Sequence, residues 1–165
     1  MLSVDKLIEI YGESNPVKVI KQENSPIEII EYKAIFQREF SSEYGSNPDQ
    51  IAHSIRYKNL SSETIVAMRF GIVAFDMFNH MIGKFAGYAV ETLGSSMEEK
   101  GDWVQSVYAA FTFQKYGTGV AYVDAVRFEN GKIWNLDLAM VVEDLQRIEL
   151  SLTQEDLLEK RSRNN

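Results

Sequence analysis

The sequence predicts a mainly β protein, an antiparallel β-sandwich of about seven strands followed by a helical segment. Two runs support this prediction, residues 55–76 and 120–134. In both runs apolar, β-branched and aromatic residues alternate with other residues, and polar turns interrupt the alternation. The second run contains Asn130-Gly131, a strong two-residue signal for a hairpin. After residue 136 apolar residues recur at the spacing of one helix face, so the last part of the chain is predicted to be helical.

The chain of 165 residues has the length of one domain with short additions. We expect a weakly attached N-terminal segment at residues 1–26, a β-sandwich domain at 27–136 and a C-terminal helical segment at 137–165. The first segment could hold a short helix capped by Ser3, and Val17 and Val19 could instead form a short strand after the Asn15-Pro16 turn.

Alternation of apolar residues predicts seven strands, at residues 27–39, 51–57, 64–76, 82–93, 103–113, 120–128 and 132–135. The third strand is apolar on both faces, which indicates a central position. Gly83 and Gly87 indicate that the fourth strand is bulged or lies at an edge. Residues 94–102 are predicted to be a polar loop, and residues 116–119 a hairpin turn.

The C-terminal segment carries recognisable helix caps. Asp137 is a plausible N-cap, and Ser151 or Thr153 can cap a last helix, with Asp156 in a capping-box position. One helix face carries an apolar stripe, Leu138, Val141, Val142, Leu145 and Ile148. The stripe must be covered by the sandwich or by a second copy of the chain. We expect a symmetric dimer through this stripe or through the glycine-containing edge strand.

The composition excludes several classes of function. The formal net charge is −7, so binding to nucleic acid or to an anionic membrane is not expected. Cysteine is absent, which excludes disulfides, thiol catalysis and cysteine-based zinc sites. With only two histidines, we expect no metal and no cofactor.

Each candidate for chemistry has a simpler structural interpretation. Asp76, His80 and Asp102 could contribute to a metal site, but an aspartate in a turn more often accepts backbone N–H groups. His53 alternates with apolar residues and is predicted to be a partly buried histidine with hydrogen-bond partners. The Glu98-Glu99 pair lies in a charged stretch, and exposure of this stretch to solvent is sufficient to explain both carboxylates. No nucleophile motif accompanies the serines.

Four aromatic residues are the candidates for contact with a ligand or a partner: Trp103, Tyr108, Tyr116 and Trp134. Tryptophan and tyrosine are enriched where proteins meet partners. The alternative for all four is packing at the ends of strands, and Trp134 in particular is predicted to bridge the sandwich and the helix.

Part of the chain resembles a known family. Residues 57–78, Y-K-N-L-S-S-E-T-I-V-A-M-R-F-G-I-V-A-F-D-M-F, resemble the centre of bacterial FxLYD-type Ig-like sandwich domains, with Asn59 at the end of one strand and Phe75-Asp76 at the end of the next. The segment V-R-F-E-N-G-K-I-W is similar to the closing hairpin of related domains. The resemblance covers about residues 51–134. It implies an Ig-like fold without catalytic residues, common in exported or envelope-associated proteins.

Three functional hypotheses follow. The first is a non-catalytic interaction or structural module that presents a sandwich edge or a helix to a protein partner. The second is a binder of a small ligand or carbohydrate through tryptophan and tyrosine near residues 94–102. The third is a hydrolase with an unrecognised carboxylate pair. The first residues lack an apolar core long enough for a signal peptide, so we expect a cytoplasmic protein, or an exported one if a signal precedes the numbering.

Overall fold

The computed structural model describes residues 3–11, 16–37, 40–42, 45–47, 50–106 and 116–158. The protein is mainly β, as the sequence predicts. The helices are α1 Val4–Tyr11, α2 Leu138–Leu145 and α3 Gln154–Leu157. The strands are β1 Val17–Val19, β2 Ile27–Gln37, β3 Phe40–Ser42, β4 Gly45–Asn47, β5 Gln50–Asn59, β6 Ile65–Asp76, β7 Met81–Ala89, β8 Glu98–Ser106, β9 Tyr116–Phe128 and β10 Ile133–Asn135.

Within these ranges, eight strands form two sheets. The five-stranded sheet has the order β1-β9-β6-β7, and β10 also pairs with β9. The three-stranded sheet has the order β2-β5-β8, and β3 and β4 form a separate two-stranded sheet. Strand β1 runs parallel to β9, and the other pairs are antiparallel. Strand β6 is paired on both sides, so its predicted central position is confirmed.

The two sheets pack face to face over a shared hydrophobic core. Alternate residues of each strand point into it, among them Tyr57 of β5 and Phe70 of β6, whose ring centroids lie 5.0 Å apart. Trp103 of β8 extends this contact, with its ring 5.7 Å from Phe70. These aromatic pairs lie between the sheets, which is where the alternation of the sequence places one face of each strand.

The C-terminal segment covers part of the outer face of the five-stranded sheet. Asp137 caps α2, since its side chain accepts a hydrogen bond from the backbone N–H of Ala139 at 3.1 Å. Thr153 precedes α3, and its backbone N–H donates to the Asp156 carboxylate at 2.7 Å. Both predicted caps are therefore confirmed. In the stretch of chain described, no helix combines the length and the apolar character needed to cross a membrane.

The apolar stripe packs on its own domain. Val141, Val142 and Leu145 are buried against Val73 and Tyr122, and Leu138 and Ile148 pack at the margin of the same cluster. This corrects the expectation that the stripe forms a dimer surface. A sandwich sheet has two faces, and the part of the second face around Val73, Phe75, Val120 and Tyr122 is apolar, so the helix buries its stripe there.

Two segments that were predicted to connect strands are themselves parts of strands in the structure. Residues 98–102 begin β8 and residues 116–119 begin β9, where a loop and a turn were predicted. Strand β8 is an edge strand whose first residues are charged and exposed, so in sequence they resemble a loop. Gly117 lies against β6, since a Cβ there would come within 2.7 Å of the backbone oxygen of Asp76. The glycines of the 116–119 stretch therefore permit close packing rather than a turn.

Candidate interaction surface

The four aromatic residues singled out from the sequence do not form one site. Tyr116 is buried, and Tyr108 lies outside the described residues. Trp103 and Trp134 are half-buried and pack against the inter-sheet core. Trp103 lies beside β7 and Trp134 on β10, at opposite edges of the five-stranded sheet. Three inter-strand steps separate these edges, a distance of about 14 Å.

The Trp103 ring fills the space between two glycines. A Cβ at Gly87 would lie 3.0 Å from the ring, and a Cβ at Gly101 would overlap it. The indole Nε1 donates a hydrogen bond to the backbone oxygen of Tyr88 at 3.0 Å. This ring joins the edges of the two sheets and is packed between them, so Trp103 does not form the wall of a ligand site beside residues 94–102.

Two of the three candidates for metal binding, Asp76 and His80, have structural partners. One oxygen of Asp76 accepts the backbone N–H groups of Phe78 and His80, each at 2.9 Å, as expected for an aspartate in a turn. His80 lies 3.5 Å from the Glu149 carboxylate. Among the described residues, no three His, Cys, Asp or Glu side chains lie close enough together to hold a metal ion.

His53 is a core residue with partners on both ring nitrogens. Its Nδ1 lies 2.8 Å from the Tyr32 hydroxyl and its Nε2 lies 3.4 Å from Gln105 Oε1. The ring is fully buried and stacks between Tyr32 and Phe85. Burial lowers the pKa of His53 to about 4, which keeps the imidazole neutral. The prediction of a satisfied histidine is confirmed, and the burial is deeper than predicted.

A different candidate surface lies on the outer side of the five-stranded sheet, next to the part of this side that the C-terminal segment covers. The strand register places two rows of outward residues side by side there. We call this surface the open face. Its first row is Tyr88, Arg69, Ala125 and Asn135, and its second row is Val90, Ala67, Arg127 and Ile133.

The open face is a shallow depression with a volume of about 280 Å³. Its floor is low because Ala67 and Ala125 are small and lie on the two central strands. Its sides are large apolar residues that remain in solvent, with exposed fractions of 58% for Tyr88, 84% for Val90 and 54% for Ile133. Large apolar side chains gathered on one exposed surface are typical of interaction sites.

Two arginines lie in the middle of the open face. Arg69 is held in place, since its Nε donates to the Asp124 carboxylate at 2.6 Å and its guanidinium lies 5.9 Å from the centre of the Tyr88 ring. Asp124 reaches Arg69 because the register of β6 and β9 shifts at that point. The Arg127 side chain is exposed, and within the described ranges its guanidinium has no hydrogen bond or ion pair. The surface therefore offers one fixed and one free guanidinium.

Other concave regions are explained by structural roles. The groove between β7 and the C-terminal segment has a volume of about 600 Å³ and is lined by carboxylates. Of these, Glu149 accepts the backbone N–H of Met81 at 2.7 Å, and Asp156 caps α3. A second groove, of about 450 Å³, lies beside Gln22, whose amide is bound to the backbone of β9.

The sequence did not single out the residues of the open face. Tyr88 and Val90 alternate on a predicted edge strand, and Ile133 follows the predicted hairpin, but nothing in these local patterns brings them together. Their joint exposure depends on the strand order and on which part of the sheet α2 covers, and both are tertiary features.

Comparisons with known proteins bear on the fold alone. No protein-family model and no curated protein matches this chain. A solved structure of a hypothetical protein from Peptoclostridium difficile 630 is similar, with a TM-score of 0.50 at 10% identity over 76% of this chain and 92% of that one. A target of the Northeast Structural Genomics Consortium has a TM-score of 0.44 at 14% identity over 67% of this chain and 80% of that one.

Proposed function

We propose that this protein is a non-catalytic interaction module that binds a protein partner through the open face. The observation that carries the proposal is the incomplete cover of the five-stranded sheet. The C-terminal segment protects the half around Tyr122 and leaves the half around Arg69 in solvent. An exposed sheet surface that combines tyrosine, arginine and aliphatic side chains has the composition of an interface centre.

The shape of the open face favours a protein over a small ligand. Pockets for small ligands enclose most of the ligand surface. The open face instead spreads over β7, β6, β9 and β10, a width of about 14 Å, with alanines rather than a deep cavity at its centre. The small-ligand hypothesis also loses its proposed aromatic wall, because Trp103 is packed between two glycines.

Site-specific photo-crosslinking in the native host tests this function. A photoreactive residue replaces Val90, and the control carries it at Leu150, which is equally exposed at 86% but lies outside the open face. We expect the variant with the photoreactive residue at position 90 to form a cross-link with one discrete protein. The variant with this residue at position 150 should not form that cross-link. Equal cross-linking from both positions, or none from position 90, would refute the proposed function.

We also propose that the fold is an Ig-like sandwich related to FxLYD-type domains, as the sequence resemblance implies. The support is the strand order. When β1, β3 and β4 are left aside and strands β2, β5, β6, β7, β8, β9 and β10 are lettered A to G, one sheet has the order A-B-E and the other D-C-F-G. The constant-type immunoglobulin arrangement has A, B, E and D opposite C, F and G. The two orders differ only in the sheet that takes the fourth strand.

A further inference from the structure

We infer that the partner segment is acidic and presents a carboxylate to Arg127 on the open face. This inference rests on the proposed function and adds the chemistry of the partner. The eight residues of the open face include two arginines and no carboxylate, on a chain whose formal net charge is −7. A cationic patch favours partners that carry negative charge.

The two arginines have different roles. Arg69 already has a carboxylate partner, so Asp124 balances its charge within the fold. Arg127 lies on the neighbouring strand β9 opposite Ala67, with no partner of its own in the described part of the chain. A partner that covered the face with apolar groups alone would bury the Arg127 guanidinium without compensation, which is costly. A carboxylate that meets Arg127 removes this cost, and arginine can bind it through two parallel hydrogen bonds.

The same charges disfavour a second copy of this chain on the open face. In a symmetric dimer the same patch faces itself, so each Arg127 would meet residues of the same eight-residue set. That set offers Asn135 and backbone groups but no carboxylate. Two uncompensated guanidiniums would be buried across the axis. A symmetric dimer through the open face is therefore disfavoured, and we take the partner to be a different molecule, with apolar groups for Tyr88, Val90 and Ile133 on either side of its carboxylate.

Two labelled octapeptides test the charge preference. In one, Glu alternates with Val, and in the other, Lys replaces Glu. Because the whole chain is acidic, non-specific electrostatics would favour the Lys peptide, so tighter binding of the Glu peptide requires a local cationic site. By fluorescence anisotropy at low salt, we expect the Glu peptide to bind at least about fivefold more tightly than the Lys peptide, and its binding to weaken at high salt.

A matched pair of variants locates the effect. Arg127→Gln should weaken binding of the Glu peptide by about fivefold or more, whereas Arg147→Gln should not weaken it. Both changes remove one positive charge. The side chain of Arg147 is 79% exposed, but this residue follows α2 and is not part of the open face. Equal binding of both peptides, or equal effects of both variants, overturns the inference.

The cross-linking experiment separates this inference from the proposed function. A partner captured from position 90 whose cross-linked segment contains Asp or Glu supports both. A captured segment without carboxylates, or a second copy of this chain, overturns the inference and leaves an interaction at the open face established. No capture at position 90 together with no binding of either peptide overturns both.

Discussion

The side chain of Gln22 should contribute to stability as if it were part of a strand. Strand β1 pairs with β9 at Gly119–Ala121, and β10 pairs with β9 at Ala125–Arg127. Between them, on the edge of β9 that faces away from β6, no strand pairs with the backbone of Val123. The Gln22 amide fills this gap, since its Nε2 donates to the Val123 oxygen at 2.8 Å and its Oε1 accepts from the Val123 nitrogen at 2.7 Å.

Replacement of Gln22 by Met keeps the length of the side chain and removes both hydrogen bonds. Each buried backbone group left without a partner costs about 1–3 kcal/mol. The adjacent groove opens to solvent, so water can satisfy part of the loss and the lower half of this range applies. Two groups are lost, so we expect Gln22→Met to lower the free energy of unfolding by about 2–4 kcal/mol.

Gln22→Glu provides a sharper test. The introduced carboxylate can still accept the Val123 N–H, but at neutral pH it cannot donate to the Val123 oxygen and instead repels it. We expect this variant to be destabilised at least as much as Gln22→Met at pH 7. Protonation of the carboxyl restores a donor, so the deficit relative to Gln22→Met should shrink at about pH 4.

Urea denaturation monitored by circular dichroism measures these changes. Lys21→Met is the control, because the neighbouring lysine is exposed and has no hydrogen bond in the described structure. Its stability should stay within about 0.5 kcal/mol of the wild type. A Gln22→Met variant as stable as Lys21→Met would show that the hydrogen bonds between Gln22 and Val123 do not stabilise the fold.

Three further predictions concern the interior. His53 has a folded pKa of about 4, below its unfolded value of about 6.5, so its contribution to stability is complete above pH 6.5 and declines as the pH falls towards 4. We expect a loss of about 2 kcal/mol between pH 7 and pH 5 that is absent in His53→Gln, measured by urea midpoints at both pH values. Gly71→Ala should cost about 1–3 kcal/mol because the new Cβ overlaps the Tyr122 ring, and this cost should fall when Tyr122→Leu is also present. Leu145→Glu should unfold the protein, since the helix packs on its own sheet; a folded variant with an altered sedimentation coefficient would instead point to a dimer through this helix.

Local chemistry made much of the fold predictable. The apolar and β-branched runs of β2 and β6 were predicted with bounds close to those observed, and β9 was predicted except for its first four residues. Gly131 has a φ of 88°, which explains why the Asn-Gly pair marked the β9–β10 hairpin. The caps at Asp137 and Thr153 depend on residues within three positions, so they too could be predicted.

Features that depend on distant neighbours could not be predicted in this way. The charged start of β8 resembles a loop because its role as a strand depends on pairing with β5. Trp103 resembled a binding residue because the glycines that enclose it, Gly87 and Gly101, lie on different strands.

The sequence by itself determined that the chain is mainly β, which residues alternate into strands and where the C-terminal helices begin, because these properties follow from residues close in sequence. Only the tertiary structure decided that the helix stripe is covered by the sheet and that the open face is not. The amphipathic pattern of α2 shows that Val142 and Leu145 must be buried, but not against what. Which half of a sheet remains exposed depends on the strand order and on the extent of the covering segment. For Arg127 and Tyr88, both of these are set by residues that are distant in sequence.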